Sequence, residues 1–544
     1  MTEATLLSEL VTRAARLSPH ARALTSEVGS LTYEELGHAV RQFASGLAAL
    51  GLARGDRVAI YLDKRFETVI GSFGASAAGA VFVPVNPILK PEQVAHILRD
   101  SNARALLTSP ERLSLLESVL PACKDLRHLL ITGATFDAVA RRAAANGGLH
   151  LVSWKTLLEG VGKPVHRVID VDMAAILYTS GSTGRPKGVV LSHRNMVAGA
   201  KSVASYLENN AHDTLLAALP LSFDAGFSQL TTAFHAGARV VLLNYLMPRD
   251  IVRAIDREGV TGLTAVPPLY IQLAQLDWPQ GAQSHLRYFA NTGGRMPRAT
   301  LALLRERLPK SRPFLMYGLT EAFRSTYLPP DQVDERPDSI GKAIPNAEIL
   351  VLREDGSACG IDEPGELVHR GALVGMGYWN DAAKTAERYK LLARDAPGQS
   401  AALALPEYAV FSGDTVRMDA QGYLYFIGRR DEMMKTSGYR VSPTEVEEIV
   451  YATQLVSECA AFGTEHPTLG HAIQLVATPR PRDADSALGG EQLASALLAE
   501  CRLRMPTYMV PAGIFITCGP LPRNVNGKLD RPLISGNWGS QADQ

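Results

Sequence analysis

Through the first two-thirds of the chain, short uninterrupted apolar runs alternate with helical patterns, and this alternation restricts the fold more than any other feature. Residues 56–62 (DRVAIYL) read as a buried strand, 66–80 as a helix of small residues, and 80–85 (AVFVPV) as the next strand. Further strands are expected at 126–132, 214–219, 238–246, 262–266, 286–290 and 314–317. A strand that is apolar on both faces needs cover on both. Such runs separated by helices therefore predict parallel sheets between helical layers. From Glu348 onward the pattern changes to period two with turns, in EILVLREDGS, GELVHRG and GDTVRMDAQGYLYFIGR. That spacing predicts antiparallel, barrel-like structure.

With 544 residues the chain is too long for one domain. A boundary is expected near Arg430-Asp431, dividing residues 1–430 from a compact α+β segment at 431–544. In the second part a helix is predicted at 443–452, strands near 458–463 and 471–478, and a helix at 490–503. Residues 391–406 (Ala/Pro-rich) and 479–490 (polar) read as loops. Hydrophobic residues make up 46%, enough for large cores. Lys+Arg and Asp+Glu are each 55, so no basic field exists to attract nucleic acid or an anionic membrane. The N-terminus lacks a basic region followed by an apolar one, and no apolar run approaches the ~20 residues that span a bilayer. These features predict a cytoplasmic protein. Five scattered cysteines form no CxxC and have no zinc spacing.

One loop carries chemistry. The apolar run 174–177 empties into YTSGSTGRPKGVVLSHRN at 178–195. Bare backbone N–H groups, hydroxyls and the point charge of Lys187 together suit a phosphate. The pattern is not a P-loop, because Pro186 and Gly188 stand where Gly and Ser/Thr would flank the lysine.

This string resembles the phosphate loop of the AMP-forming adenylating superfamily, which includes acyl-CoA synthetases, nonribosomal peptide adenylation domains and firefly luciferase. The resemblance extends in the family's order through LTYEEL at 31–36, YGLTE at 317–321, GEL at 365–367, SGD at 412–414 and GRRD at 428–431. It continues through Lys435, GYRV at 438–441 and PRNVNGK at 522–528. The text around YGLTEAFRSTYLPP is similar to exosortase A-associated acyl-CoA ligases and to stand-alone amino acid–carrier protein ligases. The resemblance implies an α/β fold: two doubly wound subdomains plus a small β-barrel, followed by a smaller mobile α+β domain.

It also implies a reaction in which a carboxylate attacks the α-phosphorus of ATP, pyrophosphate leaves, and a thiol then displaces AMP from the acyl-adenylate. Thr179, Ser180, Gly181, Ser182, Thr183, Gly184 and Lys187 are expected to hold the β- and γ-phosphates. Thr320 would contact the α-phosphate and Glu321 would ligate Mg²⁺. Tyr317 would stack on the adenine, Gly293 and Gly294 would let backbone approach the adenine or the acyl chain, Asp414 and Arg429 would lie at the ribose and phosphates, and Gly318 and Lys435 with the nucleotide. Lys528 would swing in to bridge the two anions of the first step. Asp431 would be the hinge about which the small domain rotates, bringing Gly438 to line a thiol tunnel. The acceptor is CoA or the phosphopantetheine of a carrier; with only sixteen residues after Lys528, a carrier is expected to be a separate protein.

For the acid, the fatty-acid branch usually has a histidine where this chain has Phe223, in PLSFDAG at 220–226. The Phe223-Asp224 pair resembles amino-acid-adenylating domains, where the Asp meets an α-ammonium group. A buried carboxylate is costly unless a cation meets it. The alternative for Asp224 is a helix cap. Arg324 falls where the family lines its acyl pocket, with Ser228 and Thr292; it either reads a second carboxylate or pairs with a nearby Asp. Asp224 thus predicts an amino or hydroxyl group beside the reacting carboxylate, and a small polar acid (an amino acid, or a hydroxy- or dicarboxylic acid) is expected, the alternative being a fatty, aryl or hydroxy acid joined to free CoA.

Overall fold

The structure, a computed structural model, describes residues 3–133, 138–159, 163–179, 186–393, 405–430, 432–436, 439–466, 469–480, 489–524 and 528–539. Most of the two expected loops at 391–406 and 479–490 lies outside these residues.

A seven-stranded sheet has the spatial order His150–Ser153, His128–Ile131, Ala103–Thr108, Arg57–Tyr61, Val81–Pro84, Met173–Thr179, Lys187–Ser192. All neighbours are parallel except the last pair, in which Thr179 lies opposite Lys187. The phosphate-loop segment thus joins the two arms of an antiparallel hairpin, and Lys187 opens the returning strand.

The second sheet has a parallel centre: Arg22–Ser26, Arg239–Leu242, Thr214–Ala217, Gly262–Ala265, Tyr288–Asn291 and Arg312–Tyr317. Most strands are shorter than the apolar runs suggested, but Arg312–Tyr317 begins two residues before the expected 314–317. The run at 214–219 leaves the sheet after Ala217, three residues before Pro220, which has no N–H for a ladder. Antiparallel strands continue the same sheet through Thr326–Leu328 and Ser339–Ala343 to Leu424–Arg429, Tyr408–Met418, Gly365–Gly371 and Ala347–Leu352. The period-two segment is therefore hydrogen-bonded to the parallel sheet rather than separate from it.

Aromatic packing locks the two sheets together. Phe82 of the first sheet stacks on Phe227 of helix Asp224–Ala236 with ring centroids 4.7 Å apart, and Phe73 stacks on the same ring at 5.7 Å. All three rings are buried. This contact fixes helix Asp224–Ala236 against the core, and that helix carries much of the acyl-side wall described below.

The C-terminal segment has its own sheet, in the order Tyr439–Val441, Met434–Thr436, Gly470–Pro479, Val456–His466, with Gly513–Ile516 beside Gly470–Pro479. Helices Pro443–Ala452 and Gly490–Arg504 cover it over a core that includes Val446, Val450, Leu475 and Leu497. Arg295 ion-pairs with Glu448 on the first of these helices and with Asp338, tying this segment to the larger part of the chain.

Candidate active site

In open parallel sheets, ligands bind beyond the carboxyl ends of the strands. Here those ends bring Thr179, Val266, the turn 292–294 and Tyr317-Gly318 to one cleft. Thr292 is buried and its N–H donates to Ala265 O at 3.1 Å. Gly293 has φ +76°, a left-handed conformation that glycine adopts without penalty. A Cβ there would lie 3.3 Å from Val266 Cγ1 and 3.7 Å from Cε of Lys528. The exposed Lys528 side chain therefore reaches the cleft from the C-terminal segment. Its turn is closed by Asn524 N–H to Lys528 O (2.8 Å) and Lys528 N–H to Asn524 Oδ1 (3.1 Å).

Asp414 and Arg429 are cross-strand partners, with Arg429 Nε 3.8 Å from Asp414 Oδ1. The Tyr317 hydroxyl donates to Asp414 Oδ2. Burial pushes the Asp414 carboxyl above the ordinary carboxylate range; Arg429, the Tyr317 hydroxyl, Arg388 and Lys528 pull the other way. Oδ1 is buried and accepts no hydrogen bond among the described residues. An orphaned buried acceptor is expensive, and it suits a ligand hydroxyl such as that of a ribose. Burial, with the neighbouring Asp414 charge, raises the Tyr317 hydroxyl far above the normal phenol range, so it stays a donor to this carboxylate.

Glu321 Oε1 accepts from the Tyr378 hydroxyl at 2.5 Å, and Lys187 Nζ lies 5.9 Å from the Tyr378 ring centroid. Tyr378 thus connects the phosphate-loop lysine to the candidate metal carboxylate. Sequence reasoning missed it: GYW at 377–379 has no spacing tie to either partner. Among the described residues no three His, Cys, Asp or Glu side chains group closely enough to hold a metal unaided. One carboxylate completed by phosphate oxygens is the donor set magnesium accepts.

The acyl side differs from expectation. Arg324 is only 2% exposed, and its Nη1 donates to Asp224 Oδ2 and to Phe323 O, both at 2.9 Å. Asp224 begins the helix rather than capping it. Phe223, half-buried, is the N-cap, and no side chain caps that end. The Asp224 carboxylate already has a cation inside the chain, so burial supplies no reason to expect a substrate ammonium there. This corrects the physical argument for an amino acid. Arg324 is held by an unusual turn: Phe323 has φ +60° and ψ −51°, with Arg324 N–H bonded to Ala322 O at 2.7 Å. Such a γ-turn is strained for a bulky residue, and the buried Phe323 ring retains it. Gly318 packs against this turn; a Cβ would come 3.1 Å from Arg324 Cα. Ser228 is buried on the same helix as Asp224. Gly294 accepts through its carbonyl from Asn291 Nδ2 at 2.8 Å.

Thr320 opens the 3₁₀ turn Thr320–Ala322, beside Gly318 and Glu321. Lys435 lies in strand Met434–Thr436, opposite Arg440. Ser180, Gly181, Ser182, Thr183, Gly184, Asp431 and Gly438 lie outside the described residues.

The profile of the AMP-binding enzyme family matches residues 11–379, and that of the AMP-binding enzyme C-terminal domain matches 445–528. The chain belongs to the AMP-binding enzyme family, the AMP-forming adenylating superfamily, and is an AMP-forming acid–thiol ligase. It is 31% identical over 534 residues to a feruloyl-CoA synthase of Amycolatopsis sp, covering 97% of this chain and 98% of that one. It is 29% identical over 527 residues to a linear gramicidin synthase of Brevibacillus parabrevis; that match covers 95% of this chain but spans only 6% of the relative's length. The crystal structure of an anthranilate CoA ligase in complex with anthranoyl-AMP superposes with a TM-score of 0.84 at 23% identity, over 99% of this chain and 98% of the other. That likeness is one of fold. Among the described residues, no helix is long and apolar enough to cross a membrane.

Proposed function

We propose that this ligase activates a small polar acid in two half-reactions. In the first, a carboxylate oxygen of the acid bonds to the α-phosphorus of ATP, the bond to the β-phosphate oxygen breaks, and pyrophosphate leaves. In the second, the sulfur of CoA, or of a phosphopantetheine on a separate carrier protein, attacks the acyl carbonyl. The bond to AMP breaks, and the thiol proton passes to solvent.

Two anions meet in the first step, so fixed positive charge is needed where negative charge accumulates. Lys528 is the group that supplies it. The observation that carries this reading is its Cε next to Gly293, close enough to Asp414 for its charge to act on that carboxyl, whose Oδ1 accepts no hydrogen bond among the described residues. Asp414 and Arg429 would receive the ribose, Lys187 and the hydroxyls of its loop the outer phosphates, and Thr320 the α-phosphate. Glu321 would hold a magnesium ion, which when bound offsets phosphate charge. Lys528 must then withdraw to admit the thiol, with Asp431 as hinge and Gly438 at the tunnel. The second reading, an acyl-CoA synthetase for a fatty, aryl or hydroxy acid, is favoured by the likeness to a feruloyl-CoA synthase.

The test is ATP–pyrophosphate exchange over amino, hydroxy and fatty acids, then mass spectrometry of the product with CoA or a loaded carrier. Lys528→Ala is expected to lower exchange by about 10²–10³-fold, while thioester formation from added acyl-adenylate continues. Equal loss of both half-reactions would refute the role given to Lys528.

A further inference from the structure

We propose that the acid carries, away from its reacting carboxyl, an uncharged group that both accepts and donates a hydrogen bond, of which a hydroxyl is the smallest. This inference rests on the adenylation reading above and narrows its substrate.

A cavity lies between helix Asp224–Ala236 and the second sheet. Ala225, Ser228, Gln229 and Thr232 line it from the helix, at spacings that share one face. Thr264 and Arg324 add polar lining from other elements, and Val203, Leu207, Leu215, Leu216 and Met316 supply apolar surface. Val266, two residues beyond Thr264, meets Gly293, and a strand advances about 7 Å in two residues. An acid whose carboxyl lies at the Lys528 end is therefore placed to send a short chain toward this cavity.

Measured to the centre of a water-sized sphere, the free volume is about 20 Å³. One such sphere needs about 10–15 Å³, so the space suits a single small polar group rather than a long apolar tail. Two buried polar atoms of its lining lack partners among the described residues: the donor Arg324 Nε and the acceptor Gln229 Oε1. Gln229 Nε2 is already committed to Gly226 O at 3.1 Å, which orients the amide with its oxygen unsatisfied. A hydroxyl carries both the acceptor that Arg324 Nε lacks and the donor that Gln229 Oε1 lacks.

Charge argues the same way. Arg324 is neutralised by Asp224, so a second carboxylate or an ammonium group would bring net charge into a buried site, which is costly. A terminal methyl would leave both polar atoms unpaired, also at a cost.

The experiment measures kcat/KM for pyrophosphate exchange with the intact enzyme on straight-chain acids of graded length, each ending in methyl, hydroxyl, carboxylate or ammonium. A hydroxyl-ended acid is expected to exceed its methyl and charged counterparts by at least about tenfold. Gln229→Met, and independently the milder Thr232→Val, are expected to shrink that preference while methyl-ended acids gain. A methyl- or charge-ended acid that equals or beats the hydroxyl overturns the inference and leaves the cavity as the seat of a structural water. Exchange with none of the acids overturns the adenylation reading itself, and the inference falls with it.

Discussion

The nucleotide cleft and the acyl cavity are adjacent, yet they treat buried charge in opposite ways. In the cleft, Asp414 keeps one oxygen without a hydrogen bond among the described residues, 3.8 Å from Arg429 Nε, and has a carboxyl that burial pushes upward. In the cavity wall, Asp224 and Arg324 satisfy each other across 100 residues of sequence. The first leaves hydrogen-bonding capacity open where the ribose is proposed to sit. The second is part of the wall, and only its leftover hydrogen-bonding capacity points inward.

Removing each carboxylate separates the two roles. Asp224→Ala strands a buried guanidinium and is expected to destabilise the protein by about 3–5 kcal/mol, read as a shift of the urea midpoint. The paired replacement Asp224→Leu with Arg324→Met should recover most of that loss. Asp414→Ala removes a group whose burial is unfavourable, so stability should hold or rise. Its cost should appear instead as a fall in kcat/KM for ATP of about 10–100-fold, the worth of a hydrogen bond to a charged group. If Asp224→Ala spares the fold and Asp414→Ala unfolds it, the comparison is reversed.

A smaller effect comes from pH. His369 lies behind the Arg324 turn, with Nδ1 3.0 Å from Ser325 Oγ, and burial lowers its pKa from 6.5 to about 3. Below 6.5 the unfolded chain takes up a proton that the native state refuses, so stability falls as pH falls from 6.5 toward 3. The slope is up to about 1.4 kcal/mol per pH unit. Asp414 has the opposite sign: its raised carboxyl pKa favours the native state in acid and loses that advantage as pH rises. His369→Gln should flatten the acid limb of a stability–pH curve. An unchanged limb would show that the pocket wall does not carry this titration.

The candidate cleft residues stand out in the sequence because they come in short contiguous strings: YGLTE runs past the end of one strand, GRRD puts Arg429 at the end of another, and SGD puts Asp414 within the strand paired with it. Period-two patterning likewise marked the antiparallel strands, and helix Pro443–Ala452 was read at its observed bounds. The cavity was much less legible. Arg324 and Asp224 were both singled out, but the sequence left open whether they face a substrate or each other. Nothing local to Gln229 or Tyr378 announces a role, because each acts through a partner brought in by another element.

Local chemistry and apolar periodicity are properties of neighbours along the chain, so residue order alone determined the layered α/β plan and the adenylating family, and it named the candidate nucleotide-side residues. Which buried charges cancel, which polar atoms stay unpaired and whether Lys528 reaches Gly293 depend on contacts between segments far apart in sequence. Packing of helix Asp224–Ala236 on Phe73 and Phe82, the strained turn at Phe323 and the Arg295–Glu448 tie decided those. Only the tertiary structure brings such groups close enough for electrostatics and hydrogen bonding to act.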